Sequence, residues 1–514
     1  MNFLFSKYFV SRVIYIEPES QKTPFTPSPT ESMRDRTAGA LFLKSSESRT
    51  EPATACLTPS AKMGEIQDLI CIGFGPASLA IAIALQETSF KTRPKVSFLE
   101  RQLKFGWHAG MQLPGAKMQI SFLKDLATPR NPQSKFTFLS YLYAKNRLNT
   151  FINLGTFLPS RKEYEDYLGW IAEQFEEQGL VAYGQEVLEV SPSIVSSDGK
   201  VTRFKVVSRD AATSKIITRL TKRVVIAVGG KPIIPAEFPQ HHPAVVHSSK
   251  YSTQVHSALP DATKAYNIAV IGGGQSAAEI FNDLPSRYPN ATVTMIIKSS
   301  ALRPSDDSPF VNEVFDPERV DEVYQQPADV RARAILTDRA TNYSVVRLEL
   351  IEHLYEKLYT QRLLNPDPAS FKIKIASNRQ VVKSHMNVGL GNQIRLQLKQ
   401  VIKGLDQEVV DESMVVDAVF VATGYLRNAH EDILANSRNL LAQETAAFSV
   451  RRDYRVDFDE GRVAEDAGVW LQGCNEKTHG LSDTLLSILA IRGGEIVKSM
   501  FGGDRETLQL RSKL

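Results

Sequence analysis

From residue 66 onward the chain alternates short apolar runs with small-residue or amphipathic stretches, the rhythm of βαβ units. Asp68 to Ile72 is a short apolar run that ends at Gly73-Phe74-Gly75-Pro76. Ala77 to Gln86 then reads as a small-residue helix and Val96 to Glu100 as a second strand. Between Lys162 and Gln178, apolar or aromatic residues fall at Tyr164, Tyr167, Leu168, Ile171 and Phe175, the period of an amphipathic helix. The stretch from about 186 to 228 is β-rich and closes on the buried-looking run Arg223 to Val228. Near residue 267 the pattern starts again. Asn267 to Ile271 is a strand, Gly272-Gly273-Gly274 opens a helix, and Ala291 to Ile297 is the next strand. Val415 to Ala422 is a further buried strand before Thr423-Gly424-Tyr425. The pattern predicts an α/β protein with two Rossmann-like dinucleotide-binding domains and a smaller, mostly helical domain.

These elements set the expected boundaries. Residues 1–65, rich in Ser, Thr and Pro, form a disordered N-terminal tail. The first dinucleotide domain takes 66–235 and 410–500, with Val469 to Gly473 returning to complete it. The second takes 236–410 and carries a substrate-binding insertion at about 303–370. Residues 501–514 are a tail ending in Ser512-Lys513-Leu514, a tripeptide of the kind read by the peroxisomal import receptor, which points to the peroxisome rather than the cytoplasm. The first 16 residues, apolar and basic with no acid before Glu17, have the composition of a mitochondrial presequence as well as of a plain tail.

Charge and cysteine content narrow the class. The net charge is +4, from 61 basic and 57 acidic residues, with no basic stripe to grip a nucleic acid. No apolar run is long enough to span a membrane. The three cysteines, Cys56, Cys71 and Cys474, are too far apart for a disulfide framework, a zinc ribbon or a CxxC redox pair, and no metal-ligand pattern occurs.

The two glycine motifs differ in the residue that ends their second strand. After Gly73-x-Gly75-Pro76-x-Ser78, that strand ends in Glu100, whose carboxylate suits ribose hydroxyls. After Gly272-x-Gly274-x-x-Ala277, the equivalent place holds Lys298, with Arg303 beyond. Cations there suit a 2′-phosphate, so this site should prefer NADPH to NADH. The pair of sites is explained by FAD in the first domain and NADPH in the second. Without a redox cysteine pair, the reduced flavin must pass its electrons elsewhere, and O2 as co-substrate makes a monooxygenase.

The segments GFGPASLAIA, FGWHAGMQLPGAKMQISFLKDLATPRNPQSKFTFLSYL, GGGQSAAE, RPSDDSPFVNEVFDP, ATGY and HGLSDTLLS together resemble the lysine/ornithine N-hydroxylase family of flavoprotein monooxygenases, over about residues 66 to 500. The resemblance implies NADPH- and O2-dependent N5-hydroxylation of L-ornithine through a C4a-hydroperoxyflavin, the first step of hydroxamate siderophore synthesis. N6-hydroxylation of L-lysine, or attack on another amine, is the alternative. It implies a homotetramer. It places FAD on Gly73, Gly75, Pro76, Glu100, Lys104, Trp107, His108, Gln119, Val187, Thr484, Leu485 and Leu486. It places NADPH on Gly272, Gly273, Gly274, Gln275, Ser276, Lys298, Arg303, Asn342, Tyr343 and Ser344, with Lys298 where the family often has Arg. Met118 lies beside the flavin stretch and is expected to move with redox state. Substrate falls to Lys124, Asn312, Asn342 and Ser487, which act by positioning; no acid–base residue is assigned. The residue chemistry agrees: Lys124 can meet an α-carboxylate, and Asn312 and Asn342 can accept from an ammonium. His247-Ser248 and Tyr251 partly match an HSxxY element of related flavin monooxygenases, but its upstream glycine is missing, and His247 is not assigned a catalytic role.

Overall fold

A computed structural model describes residues 66–386, 393–401, 410–443 and 446–504. The expectations for residues 1–65 and for the C-terminal tripeptide lie outside them.

The first sheet has seven strands. Val181–Ala182, Val96–Leu99, Gln67–Ile72 and Ile216–Ile226 run parallel in that order. Ile216–Ile226 is long enough to serve two partners on its far edge. Its first half pairs antiparallel with Val201–Asp210, and Arg223 to Ile226 pairs parallel with Gly468–Leu471. Gln185–Val195 closes that edge as a hairpin with Val201–Asp210. The return of Gly468–Leu471 is thus as the sequence suggests. The helix Pro76–Glu87 starts with proline at its first turn, where no N–H is needed, and is buried on nearly every side. Leu79, Ile81, Ile83 and Leu85 are fully buried, each contributing about 1.5–3 kcal/mol. The C-terminal helix Leu489–Phe501 lies across it. A Cβ at Gly493 would stand 2.9 Å from the Ala80 carbonyl, so this approach requires glycine.

The second sheet has the order Ile373–Ala376, Thr292–Ile296, Asn267–Ile271, Ala418–Val421, Val245–His247, all parallel. This corrects one boundary. The apolar run Val415 to Ala422, expected in the first domain, breaks at Asp417, whose backbone and carboxylate bond Asn267. Ala418–Val421 then enters the centre of the second sheet. A buried parallel strand is apolar on both faces, so its pattern does not say which sheet it joins. The preceding segment Val410–Val416 belongs to a three-stranded antiparallel sheet with Arg379–Met386 and Ile394–Gln400, which covers one face of the second sheet.

The insertion is helical, as expected: Pro309–Asn312, Arg319–Gln325, Ala328–Asn342 and Leu348–Leu364. Its extent differs. Leu354 is buried in the second domain's core, and Lys357 bonds Asn282, so Leu348–Leu364 is a helix of that domain. The part before residue 343 turns to the first domain instead. Arg331 donates to the Lys477 carbonyl at 2.8 Å, and Arg452 pairs with both Asp321 and Glu495.

Candidate active site

Each sheet presents a glycine turn where a parallel strand gives way to a helix. Gly73 has φ +90°, and a Cβ there would lie 2.6 Å from the Ala227 carbonyl oxygen. Gly75 is extended, caps the helix Pro76–Glu87, and has open space where its Cβ would stand. The third glycine of such motifs is replaced by Ser78, whose buried hydroxyl donates back to the Gly73 carbonyl at 2.7 Å. Glu100 is buried beside this turn, and its two oxygens accept from the amides of Phe74 and Gln102. Gln472 donates weakly to the Ala77 carbonyl at 3.4 Å, while its buried Oε1 has no partner among the described residues. Open glycine, helix amides and a spare polar acceptor form a cradle that fits a dinucleotide pyrophosphate and ribose.

The flavin stretch runs on from there. Lys104 and Gln119 are exposed, Trp107 is half-buried with its ring 5.7 Å from that of Tyr164, and Met118 is buried. His108 has φ +47° and is open to solvent at its surface, yet protein surrounds it. Burial, then the nearby Arg161 and Arg427 guanidiniums, push its imidazole down to about 4, so it is neutral at physiological pH. Val187 is half-buried in the hairpin strand Gln185–Val195. Thr484, Leu485 and Leu486 are half-buried in a segment anchored by a fully buried ion pair, Arg492 to Asp483 at 2.8 Å. The second Asp483 oxygen accepts from the Asn475 amide at 2.7 Å.

In the second domain, Gly272 has φ +128°, and a Cβ there would lie 2.6 Å from the Ala422 carbonyl oxygen. The same clash recurs at the same place in both motifs. Gly273 faces Ile297 and Ser299, and Gly274 faces the backbone of Ser344, itself at φ +58°. Gln275 donates to Glu279 and accepts from the Arg347 amide, both at 2.9 Å. Ser276 is half-buried, and Lys298 and Arg303 are exposed past the strand Thr292–Ile296. Tyr343 donates to Glu476 at 2.5 Å under the Arg339 guanidinium, and burial together with that carboxylate holds its hydroxyl above the usual tyrosine range.

Of the residues expected to hold substrate, Lys124 and Ser487 both meet the turn that follows Asn312. Lys124 Nζ is 3.2 Å from Asp316. Ser487 is buried and donates to the Phe315 carbonyl at 3.4 Å, one residue away. Asn312 lies one turn earlier, its amide nitrogen donating to the Asp307 carbonyl at 3.0 Å, which leaves its oxygen free to accept. Asn342 ends the helix Ala328–Asn342, and the next residue, Tyr343, ties it to Glu476 just before the Ser487 segment. Beneath Lys124, the buried Asp125 accepts from the amides of Ala127, Thr128 and Phe138 and fixes the turn.

His247 is structural. Its Nε2 donates to the Gly424 carbonyl at 3.1 Å and its Nδ1 accepts from Ser249, while burial lowers its basicity. Tyr251 donates to Asp283 at 2.7 Å. Sequence reasoning misses Asp316, Glu476, Arg427 and the Arg161–Glu279 pair. Asp316 and Glu279 lie inside the recognised segments RPSDDSPFVNEVFDP and GGGQSAAE, and Arg427 follows ATGY by two residues, but none of the three is singled out by its segment; Arg161 and Glu476 carry no local signal.

Two sheets, one mixed and one parallel, each with a glycine turn at the carboxyl end of a central parallel strand, and a helical arm whose turn meets Lys124 and Ser487 define a two-dinucleotide flavoprotein oxidoreductase. A family model described as L-lysine 6-monooxygenase/L-ornithine 5-monooxygenase matches residues 65–427, and the chain belongs to that family. An L-ornithine N(5)-oxygenase of Arthrobotrys oligospora is 54% identical over 442 residues, 85% of this chain and 88% of that one. An L-ornithine N(5)-monooxygenase of Emericella nidulans is 51% identical over 456 residues, 86% and 91% of the two chains. Among solved structures, the ornithine N-hydroxylase of Kutzneria sp. 744 with reduced FAD, NADP+ and L-ornithine superposes with a TM-score of 0.75 at 33% identity, over 85% of this chain and all of that one.

Proposed function

We propose that this protein hydroxylates the N5 amine of L-ornithine with NADPH and O2, using FAD, and so opens hydroxamate siderophore synthesis. The observation that carries the reading is that Lys124 and Ser487, far apart in the chain, both meet the turn that follows Asn312, at Asp316 and at the Phe315 carbonyl. Relatives named for ornithine hydroxylation, at about half identity over most of the chain, point the same way.

Held at the Gly73–Gly75 turn beside Glu100, FAD would supply the chemistry of hydride acceptance from NADPH and of O2 activation. The protein's own part is binding, orientation and exclusion of water. Lys124 holds the substrate carboxylate, and Asn312 and Asn342 accept from its α-ammonium. The reacting amine must be neutral to attack. Its ordinary basicity, near the lysine value of about 10.4, makes deprotonation at neutral pH cost about 4 kcal/mol. Beside the neutral His108, the Arg427 guanidinium supplies a positive charge, which favours loss of that proton from an amine placed near it; Arg161 is already neutralised by Glu279.

The test measures product with L-ornithine and L-lysine in parallel, with FAD-loaded enzyme, NADPH and air. N5-hydroxyornithine formed in step with NADPH oxidation is expected. Hydrogen peroxide alone for every amine, or preferential turnover of lysine, would overturn the substrate assignment.

Two finer points are proposals of the same kind. A homotetramer is supported by exposed apolar surface: Leu348, Tyr355, Tyr359 and Leu363 share one face of the helix Leu348–Leu364. Light scattering of the full chain at a single protomer's mass would remove it. Peroxisomal import is supported by the tripeptide Ser512-Lys513-Leu514. Unchanged localisation of an N-terminally tagged protein after its deletion would remove that.

A further inference from the structure

Asp316 lies within the segment RPSDDSPFVNEVFDP without being marked out by it, and its position gives it a role in selecting substrate. It caps the short turn Glu313–Phe315 with extended backbone, and its own carbonyl receives the Arg319 amide. The turn is therefore held from both sides, and the Asp316 carboxylate is delivered to Lys124 at 3.2 Å across 192 residues of sequence. Both side chains keep about a third of their surface exposed, 35% and 37%. An ion pair this open contributes little to folding. It is also readily exchanged for other charges. Two further carboxylates nearby are already engaged: Glu476 by Tyr343 and Arg339, and Asp483 by Arg492 and the Asn475 amide.

We propose that Asp316 is a specificity-determining residue that receives the α-ammonium of the substrate, so that Lys124 and Asp316 together form a charge pair complementary to the zwitterionic head of a free α-amino acid. The inference rests on the reading that an amino acid occupies this site. Before substrate arrives, Asp316 is the counter-ion of Lys124. When an amino acid docks, its carboxylate replaces Asp316 at Lys124 and its ammonium meets Asp316, so each charge keeps an opposite neighbour. A diamine offers no carboxylate, and an N-acylated or deaminated analogue offers no ammonium; each leaves one half of the pair unmatched.

The sign of the charge also sets which end of the substrate lies here. A carboxylate beside an amine favours the protonated form. At the α-nitrogen, which does not react, that is harmless. At the side-chain nitrogen it would oppose the proton loss that the reaction requires. Asp316 therefore belongs at the head of the substrate, and the reacting amine points away from it.

The test compares Asp316→Asn with wild type, reading the KM for L-ornithine and the competitive inhibition constant of 5-aminopentanoate, which is ornithine without its α-amino group. Both constants come from the same preparation of FAD-loaded enzyme and do not depend on the fraction that is active. The expected result is a KM for ornithine raised roughly ten- to hundredfold, the range of a charge-assisted hydrogen bond. The inhibition constant of 5-aminopentanoate should stay level or fall, because Asp316 no longer competes for Lys124. If both constants rise by one factor, Asp316 merely seats Lys124 and the proposal is wrong. If neither moves, Asp316 is outside the site and it is equally wrong. Wild type that makes no hydroxyornithine at all would overturn the functional reading itself and this inference with it.

Discussion

Arg161 and Glu279 join the two nucleotide-binding halves through a forked ion pair, each terminal guanidinium nitrogen 2.8 Å from a carboxylate oxygen. Arg161 starts the helix Arg161–Glu176 of the first domain, and Glu279 lies in Gln275–Arg287, the helix that the second glycine turn opens. The pair is largely buried, 14% and 7% exposed. Glu279 also receives Gln275, which receives the Arg347 amide, and Arg347 in turn donates to the Met118 carbonyl. One continuous chain of bonds thus links the flavin stretch to the second turn.

Glu279→Gln should therefore do two things. It leaves a buried guanidinium without its charge partner, a loss of about 3–5 kcal/mol readable in urea unfolding. It also releases Gln275, so NADPH KM should rise along with the share of NADPH oxidised to peroxide. The double variant Arg161→Met with Glu279→Leu, apolar and similar in volume, should regain most of the stability and none of the coupling. A double variant with wild-type peroxide yield would show that the bridge serves stability alone.

The two glycine turns make opposite predictions for the same substitution. Gly73→Ala and Gly272→Ala both force a Cβ against a carbonyl 2.6 Å away at positive φ, and the backbone must shift. Gly73→Ala should purify without yellow colour, because the turn it distorts is the flavin cradle. Gly272→Ala should purify yellow and be reduced normally by dithionite, yet be reduced by NADPH only at concentrations roughly tenfold higher or more. Absorbance at purification and a titration with NADPH separate the two. Loss of flavin from both would mean that the sites are not independent.

Much of this organisation is legible in the chain because it is local. A glycine turn, its strand and its helix fit within about thirty residues, and their spacing carries their geometry. Ser78 is visible as a departure, and the structure supplies its reason, a hydroxyl that closes on Gly73. Long-range pairings escape such a reading. Arg161 and Glu279 are 118 residues apart and Lys124 and Asp316 are 192 apart, and nothing in either neighbourhood announces the other. The misplaced boundary near residue 410 has the same origin. The run through Val415 and Ala422 looks equally buried in either sheet, and only Asp417, meeting Asn267, decides between them.

Acid should weaken the protein through its histidines. Burial holds His108, His247, His430 and His479 below the ordinary value of 6.5, His108 at about 4. Each therefore takes up its proton in the unfolded chain first. Between about pH 6.5 and 4 the unfolded state carries the extra protons, so stability is full above that window and is lost as pH falls through it. Asp125 opposes this, since burial raises its carboxyl and its protonation favours the folded chain. His242 is lowered likewise and Glu163 raised like Asp125, so five histidines stand against two carboxyls and Tm should fall between pH 7 and pH 5. His108→Asn, which cannot take a proton, should show a shallower fall by differential scanning fluorimetry. An equal slope in the variant would mean that His108 is not held neutral by its surroundings.

Lys298 should set the choice of nicotinamide cofactor. It stands exposed two residues beyond the strand Thr292–Ile296, beside Ser299, whose hydroxyl donates to the Ala301 carbonyl. In this position a cation would meet the 2′-phosphate that distinguishes NADPH from NADH, away from the part of the cofactor that reacts. Lys298→Ala should therefore lower kcat/KM for NADPH roughly ten- to hundredfold, almost entirely through KM, and leave NADH unaffected. Lys298→Arg should move the preference the other way, because a planar fork grips a phosphate through two bonds where an ammonium acts as a point charge. The ratio of kcat/KM for the two cofactors, measured on all three proteins, is the readout. A Lys298→Ala ratio equal to that of wild type would transfer the role to Arg303, which lies further past the strand and closer to the insertion, and Arg303→Ala would then have to show the loss.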